Sequence, residues 1–361
     1  MKKKILHVIT NFSALGGAEI MLSRLIKFTN YDMDHNLVSL IGINEDLYKD
    51  VIGELQFKSS LNWNGFNTLS VVNKLRKIII DLNPDYIQCW MYHANVIGSI
   101  SLIGLNNRPN LYWGIHHSLN DINGESKSTK IAIYLSRFLS KNPNKIFYCA
   151  RSSLKQHNDF GFYNKKSYFI PNGVSLNDFD FKYHENSELI VGFAGRFHKA
   201  KGYEYLFQVI SILNKKPIRF KIAGKGANLN NPAISKYIED YNIDISKIDF
   251  LDQISDMRGF YTSINLFLMT SITEGFPNVL VESMASGVPC VSTDVGDASY
   301  IISDNGFICP IGDSEKLAYC INKFLYMSAE EKENLSSKSR DHIKQNFSIE
   351  HICKEYMRNW R

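Results

Sequence analysis

Residues 266–293 have the sequence LFLMTSITEGFPNVLVESMASGVPCVST, and their pattern is the strongest indication of the fold. The apolar run at the start predicts a buried strand that ends at Ser271. A loop with Glu274 follows, and the apolar spacing from Pro277 predicts a helix that ends at Gly287, with proline at its start and glycine at its end. The apolar run after this glycine predicts another strand. A strand–helix–strand unit of this kind is typical of a parallel sheet covered by helices.

The start of the predicted helix is suited to hold a diphosphate. The first turn of a helix has backbone N–H groups without partners, and its dipole is positive at that end. Gly275, just before the helix, lets the backbone come close to a ligand. Glu282 lies among apolar residues, four positions after Asn278, where a carboxylate is costly to bury without partners. It therefore either accepts hydrogen bonds from ligand hydroxyls or lies on the solvent face of the helix.

Short apolar strands alternate with helical patterns along the whole chain of 361 residues. One series occupies residues 1–172 and a second occupies 173–345, and the two join near Pro171–Phe181. A helix in 346–361 follows the second series, and we expect it to pack on the second domain. Two such series predict an α/β protein with two doubly wound, Rossmann-like domains and a ligand cleft between them.

Composition excludes several classes of protein. Hydrophobic residues make up 44% of the chain, enough for two buried cores. No stretch approaches the ~20 apolar residues that span a bilayer. The N-terminal MKKKILHVIT predicts a first strand at Ile5–Ile9 rather than a signal peptide, because the apolar run stops at Thr10. The six cysteines form no CxxC motif, which predicts buried, reduced thiols in a cytosolic protein.

Positive charge is concentrated in the first half of the chain. Residues 1–172 contain 20 Lys and Arg against 12 Asp and Glu, whereas the remainder has 21 against 24. This excess indicates either a solvated basic face or an anionic partner, such as a phosphorylated acceptor or a lipid surface. Residues 127–145, KSTKIAIYLSRFLSKNPNK, combine helical apolar spacing with five cations. They predict either an ordinary domain helix or a helix that lies on anionic lipid.

Glu274 and Glu282 are separated by seven residues and are accompanied by further motifs along the chain. These are GGAE at 16–19, IPNGVSLNDF at 170–179, GFAGRFHKAKGYEYL at 192–206, AGKG at 223–226 and GVPCVSTDVGD at 287–297. In this set and order, the chain resembles the retaining family 4 (group 1) glycosyltransferases of the GT-B fold, of the bacterial surface-polysaccharide type. It departs from them at Asp252, where the family often has glycine in a loop near the nucleotide base, and at Tyr300, where a glutamate is common.

The resemblance implies roles for particular residues. The implied catalytic residues are His116, Arg196, Lys201 and Glu274. The implied donor-binding residues are Gly16, Gly17, Asn172, Gly224, Gly226, Gly275, Phe276, Asn278, Val279 and Glu282. The glycine pair would close on the donor from the opposite domain. His116 would face the donor sugar, with His117 as the alternative. Arg196 and Lys201 would stabilise the charge that develops on the leaving diphosphate, although without the resemblance they would be taken for surface cations.

The sequence gives no support for a metal site. Two D-x-D matches, Asp32–Asp34 and Asp178–Asp180, are about as many as chance supplies, and no His/Cys cluster has ligand spacing. We therefore expect catalysis without a metal ion or other cofactor, with the two cations and the helix N-terminus at the diphosphate.

The resemblance further implies an activity. The expected reaction moves a sugar, with retention, from a nucleoside-diphosphate donor, expected to be a UDP-sugar. The expected acceptor is a polyprenyl-diphosphate-linked sugar in bacterial O-antigen or capsule assembly. The expected location is cytoplasmic, with peripheral contact to the inner face of the cell membrane and no nucleic-acid partner. Two alternatives stay open: a sugar-nucleotide epimerase of the same fold, and a catalytically silent subunit that binds a sugar nucleotide.

Overall fold

The computed structural model describes residues 2–14, 16–181 and 188–360, and the chain divides into two units. The first unit comprises Met1–Gly173 with Ile349–Arg361, and the second comprises Val174–Ser348. Arg361, at the end of the predicted closing helix, lies outside the described residues.

The first unit is built on a parallel sheet of seven strands. These are β1 (Lys3–Ile9), β2 (Met33–Ser39), β3 (Phe57–Ser60), β4 (Tyr86–Trp90), β5 (Asn110–Ile115), β6 (Lys145–Tyr148) and β7 (Ser167–Phe169). Their order in the sheet is β3-β2-β1-β4-β5-β6-β7. The order reverses between β1 and β4, which makes the carboxyl ends of these strands the expected place for a ligand.

Helices connect the strands of the first unit. They are α1 (Gly17–Thr29), α2 (Lys49–Ile52), α3 (Thr68–Leu82), α4 (Tyr92–Ser101), α5 (Lys127–Leu139) and α6 (Arg151–Phe160). Residues 5–9 of β1 are all buried, as expected for a strand with both faces covered. Leu22, Leu25 and Ile26 of α1 pack into one of the two apolar cores of this unit.

The second unit has a six-stranded parallel sheet. Its strands are β8 (Leu189–Ala194), β9 (Ile218–Ala223), β10 (Ile248–Asp252), β11 (Leu266–Met269), β12 (Cys290–Thr293) and β13 (Gly306–Cys309). Its helices are α7 (Tyr203–Ile212), α8 (Pro232–Asp240), α9 (Met257–Thr262), α10 (Asn278–Ala285), α11 (Ala298–Ile302), α12 (Ser314–Leu325) and α13 (Ala329–Asn346). The sheet order is β10-β9-β8-β11-β12-β13, so its reversal lies between β8 and β11. The two doubly wound α/β folds predicted from the sequence are confirmed.

The closing helix α14 (Ile349–Asn359) belongs to the first unit. Its buried residues Ile352 and Tyr356 join the apolar core that contains α1. Trp360, which follows the helix, is buried and donates its indole N–H to Gln88 Oε1 at 3.1 Å. The expectation that this helix packs on the second domain is therefore wrong, because its apolar face completes the core of the first.

All six cysteines are buried and none forms a disulfide, as the sequence predicted. Among the residues that the structure describes, no helix is both long enough and apolar enough to cross a bilayer.

Candidate functional site

The loops that follow β8 and β11 meet at the point where the second sheet reverses its order. Ile272 donates its backbone N–H to the carbonyl oxygen of Ala200 at 2.8 Å. The Thr270 hydroxyl lies 3.0 Å from the carbonyl oxygens of Lys201 and Gly202. Gly202 has φ +63°, and a Cβ there would overlap the carbonyl oxygen of Thr270. The close approach of the two loops therefore requires glycine at this position.

The contact between the two loops places Lys201 beside Glu274, although the two residues are 73 positions apart in the chain. Lys201 Nζ donates to Glu274 Oε1 at 2.6 Å, and the Ser271 hydroxyl donates to the same oxygen at 2.7 Å. The two side chains are only 25% and 14% exposed. Water screens such a pair less than it screens a surface pair, so the contact orders both side chains.

Two further positive groups lie on the same loops. Arg196 is exposed on the loop after β8, and it makes no hydrogen bond or ion pair with another described residue. Helix α10 begins at Asn278, after the loop that contains Glu274, and its N-terminus carries positive partial charge. Phe276 is buried and packs on Phe347 at 6.0 Å between ring centroids. The arrangement offers two cations and a helix N-terminus to an anion.

Gly296 belongs to this site and lies in the motif at 287–297, although the sequence analysis gave it no role. A Cβ at this position would overlap the carbonyl oxygens of Gly275 and Glu274, and the N–H of Asp297 donates to Gly275 O at 3.0 Å. The backbone that carries Glu274 is therefore held against the next loop. The GDA sequence after β12 was the available signal, since a glycine at a strand end indicates a close backbone approach.

Glu282 is half-buried on α10 and is held by Tyr261. The Tyr261 hydroxyl donates to Glu282 Oε2 at 3.1 Å, and it also lies 3.5 Å from the carbonyl oxygen of Val279. Burial, together with the neighbouring carboxylate, raises the pKa of Tyr261 well above its ordinary value. The tyrosine thus remains a neutral donor that fixes the direction of the Glu282 carboxylate. Tyr261 lies in α9, where its contribution has no sequence signal.

The glycine loop after β9 is fastened by Asp252. Gly224 has φ +145° and Gly226 has φ +80°, conformations that L side chains rarely adopt. Asp252 Oδ1 accepts the N–H of Gly226 and Oδ2 accepts the side-chain amide of Asn228, both at 2.9 Å. The Asp252 carbonyl oxygen accepts the N–H of Gly224 at 2.6 Å. Asp252 itself has φ +49°, a left-handed conformation that favours glycine.

In the first unit, His116 follows β5 and packs on the Trp90 ring at 5.3 Å between centroids. Burial lowers the pKa of His116 to about 4, and a hydrogen bond with the side chain of Asn172 opposes this shift. The imidazole is therefore neutral at pH 7. His117 instead pairs with Glu125, with 2.9 Å between Nε2 and Oε1. Of the two histidines, His116 is thus the one placed beside Asn172.

Gly16 and Gly17 lie at the start of α1, as the GGAE motif predicted. A Cβ at Gly16 would overlap the Glu19 carboxylate, which folds back toward the start of its own helix. Burial raises the pKa of Glu19. The Glu19 side chain of the same helix therefore occupies the space beside Gly16. The GGAE motif did not predict this contact.

Met91 is strained at the end of β4, one of the two strands at the reversal of the first sheet. Its φ is +72° and its ψ is 164°, a region that is almost restricted to glycine. Such strain costs about 1–3 kcal/mol and is concentrated at functional sites. Met91 also contacts His116, because the backbone N–H of His116 donates to the Met91 sulfur at 3.4 Å. A methionine after an apolar strand carries no sequence signal for this conformation.

Among the described residues, no group of three or more His, Cys, Asp or Glu side chains could hold a metal ion. Asp180, from one of the two D-x-D matches, is paired with Arg258.

Comparisons with known proteins extend these observations. Residues 188–326 match the family described as Glycosyl transferases group 1. The capsular polysaccharide biosynthesis glycosyltransferase CapM of Staphylococcus aureus is 30% identical over 192 residues, which cover 50% of this chain and 48% of that protein. The matched region thus spans about half the length of CapM. An uncharacterized glycosyltransferase of Haemophilus influenzae is 26% identical in an alignment of 382 positions, gaps included. This alignment covers 98% of this chain and 99% of that protein.

The fold is similar to that of Alr3699/HepE from Anabaena, whose crystal structure contains UDP. The TM-score is 0.81 and the sequence identity is 19%, with 99% of both chains covered. At this identity the likeness shows the fold. The chain therefore has the two-domain GT-B fold. Residues 188–326 are thus similar to the group 1 glycosyltransferases, and the relatives above carry the name glycosyltransferase.

Proposed function

We propose that the chain transfers a sugar, with retention, from a UDP-sugar to a polyprenyl-diphosphate-linked sugar during bacterial surface-polysaccharide assembly. The observation that carries this proposal is the site at the reversal of the second sheet. Lys201 and Glu274 meet there at 2.6 Å, beside the loop that carries Arg196 and before the N-terminus of α10. Cations and a helix N-terminus suit a diphosphate, and carboxylates suit sugar hydroxyls.

The reaction gives these residues distinct tasks. The bond between the anomeric carbon and the diphosphate oxygen breaks, and the acceptor hydroxyl oxygen forms a new bond on the same face of the sugar. The acceptor proton passes to the departing diphosphate, which gains negative charge as the bond breaks. Lys201, Arg196 and the N–H groups at Asn278 would stabilise that charge. Gly224, Gly226, Gly275, Phe276, Val279 and Glu282 would hold the rest of the donor, and Glu282 would accept from the ribose hydroxyls.

The first unit contributes four further residues to this proposal. His116 is neutral at pH 7 and lies beside Asn172, so it can exchange hydrogen bonds with an uncharged sugar. Gly16 and Gly17 lie at the start of α1. We assign Gly16, Gly17 and Asn172 to donor binding, and His116 to a catalytic role in which it faces the transferred sugar.

The names of similar proteins support UDP as the nucleotide of the donor. They also support a polysaccharide as the product. HepE has been crystallised with UDP and with UDP-glucose. CapM is named for capsular polysaccharide biosynthesis, and LpsE of Rhizobium meliloti for lipopolysaccharide core biosynthesis. We propose the same class of donor and product for this chain, and catalysis without a divalent metal because cations already surround the proposed diphosphate site.

Helix α5 supports peripheral contact with an anionic membrane. Its residues Ile131, Tyr134, Leu135 and Phe138 recur at helical spacing on one face, and all four are exposed, Phe138 by 83%. Ala132, Ile133 and Ser136 are buried on the opposite face. The cations Lys127, Lys130 and Arg137 lie on the same helix. An exposed apolar stripe with cations around it matches the surface of a membrane with acidic lipids.

A panel of nucleotide sugars tests the proposed reaction. Purified enzyme should hydrolyse one UDP-sugar slowly in EDTA and should transfer that sugar once a polyprenyl-diphosphate-linked acceptor is added. Release of an altered sugar without acceptor would instead show the epimerase. Binding of a UDP-sugar without hydrolysis or transfer would instead show the silent subunit.

A further inference from the structure

Glu274 and Lys201 contact each other directly, and groups on both sides hold this contact. The Ser271 hydroxyl fixes the carboxylate oxygen that accepts from Lys201. The aliphatic stem of Lys201 lies against Gly195, where a Cβ would be 3.3 Å from both its Cγ and Cδ atoms. Neither group is therefore a loose surface side chain that can turn away at little cost.

A diphosphate at this site would compete with Glu274 for the same ammonium group. Lysine has one charged nitrogen with three donors, and the carboxylate already accepts one of them at 2.6 Å. A carboxylate beside a bound diphosphate also repels it, because both are negative and the site is partly shielded from water. Binding of a nucleotide therefore weakens an existing contact and brings like charges together.

A sugar on the diphosphate removes both costs. Its hydroxyls can donate to Glu274 and replace Lys201 as the partner of the carboxylate. Free UDP has no such hydroxyls, and its terminal phosphate carries more negative charge near neutral pH than the esterified phosphate of a UDP-sugar, because its last pKa is ~6. The same carboxylate thus favours the intact donor and disfavours the nucleotide product.

We infer that Glu274 discriminates UDP-sugar from free UDP by competing for Lys201, so that the ion pair re-forms and expels UDP once the sugar has left. This inference rests on the proposed UDP-sugar donor. It assigns Glu274 a role in product release in addition to any contact with the sugar during transfer. Glu274 would then limit inhibition by the product.

Calorimetric titration of the full chain with UDP tests the inference. Glu274→Gln keeps the size of the side chain but frees Lys201, so it should bind UDP about tenfold more tightly than the natural chain. In a Lys201→Met background, the added Glu274→Gln change should bring no such gain. Asp249→Asn is the control, because it breaks the 2.8 Å pair of Asp249 on β10 with Arg219 on β9, away from Lys201 and more exposed than the Lys201–Glu274 pair. Its affinity for UDP should be unchanged.

The outcomes separate the inference from the proposed function. Glu274→Gln that binds UDP equally or less tightly, while the natural chain binds UDP, would overturn the inference and leave the donor assignment intact. If the natural chain itself fails to bind UDP, the donor assignment falls and the inference falls with it. If Glu274→Gln does not fold, Ser271→Ala serves instead. Without the Ser271 hydroxyl, the Glu274 carboxylate has Lys201 as its remaining partner and binds it more strongly. UDP should therefore bind about threefold more weakly, and tighter binding would overturn the inference.

Discussion

At the scale of single residues, the site depends on charges whose partners lie far away in the sequence. The motifs predicted that Lys201 and Glu274 matter, but the 73-residue separation hides their contact. The contact arises because β8 and β11 are neighbours in the sheet, which a local pattern cannot reveal. The carboxylate of Glu19 over Gly16 and the strain at Met91 are local features, but no residue pattern marks either of them.

Lys201→Ala should lower kcat more than it raises the KM for the donor. The diphosphate is already charged in the ground state, where Arg196 and the α10 N-terminus would hold it, and further charge develops as the sugar leaves. Loss of one preorganised donor of this kind costs ~10²–10³ in kcat. Lys201→Arg should rescue only in part, because a planar fork does not replace a point charge. Steady-state kinetics decide: an unchanged kcat with a raised KM would pass the leaving-group role to Arg196.

Glu282→Ala should weaken donor binding more than it slows the chemical step. A hydrogen bond to a charged group contributes about 1.5–3 kcal/mol, which corresponds to a rise in donor KM of about 10- to 100-fold. Tyr261→Phe should raise KM less, because it removes only the 3.1 Å bond that orients the carboxylate. A donor KM that Glu282→Ala leaves unchanged would mean that Glu282 does not touch the ribose.

At the scale of elements, strands with a continuous apolar run were predictable, whereas two of the strands at sheet edges were not. The strand predicted at Ile5–Ile9 lies within β1, and the strand predicted to end at Ser271 is β11, which ends at Met269. By contrast, β3 and β13 were missed. Both are at the edge of a sheet, and their residues are mostly half-buried, so their sequences lack the continuous apolar run that marks a central strand.

The junction of β10 with the glycine loop gives a prediction at this scale. Asp252→Ala should lower the free energy of unfolding by about 1–3 kcal/mol, because alanine is strained at φ +49° and the bonds to Gly226 and Asn228 are lost. UDP affinity should fall as the loop loses its anchor. Asp252→Asn should retain most of both quantities, because asparagine tolerates this φ and keeps an acceptor. Thermal unfolding and calorimetry measure the two effects, and an alanine variant as stable as the natural chain would refute the role of Asp252.

Helix α5 can be tested with vesicles. Ile131→Ser combined with Phe138→Ser should reduce co-sedimentation with vesicles of phosphatidylglycerol about tenfold or more, since each side chain loses apolar area on the membrane. Ile80→Ser combined with Ile103→Ser is the matched control, because both isoleucines are 58% exposed on other segments. Equal loss in both pairs, or no loss in the first, would contradict peripheral binding through α5.

At the scale of the whole molecule, buried histidines link stability to pH. Burial lowers the pKa of His35, His116 and His157 to about 4, from an ordinary value of 6.5. The folded chain therefore binds fewer protons than the unfolded chain between these values, so stability is present above pH 6.5 and is lost as pH falls toward 4. Protonation of each of the fully buried His35 and His157 should lower the free energy of unfolding by up to about 3 kcal/mol between pH 6.5 and pH 4.

Thermal unfolding at several pH values measures this effect. We expect a midpoint that is steady above pH 7 and falls continuously from pH 6.5 to 4.5. His157→Phe should give a shallower fall than the natural chain. A midpoint that does not change over this range would show that these histidines are not buried as neutral groups.

The central claim is that the diphosphate of a UDP-sugar binds where the second sheet reverses its order. A crystal structure with UDP tests it most directly. We predict the diphosphate within hydrogen-bonding distance of Lys201 and Arg196 at the N-terminus of α10, with the ribose hydroxyls on Glu282. UDP bound away from these residues, with the Lys201–Glu274 pair undisturbed, would contradict the account.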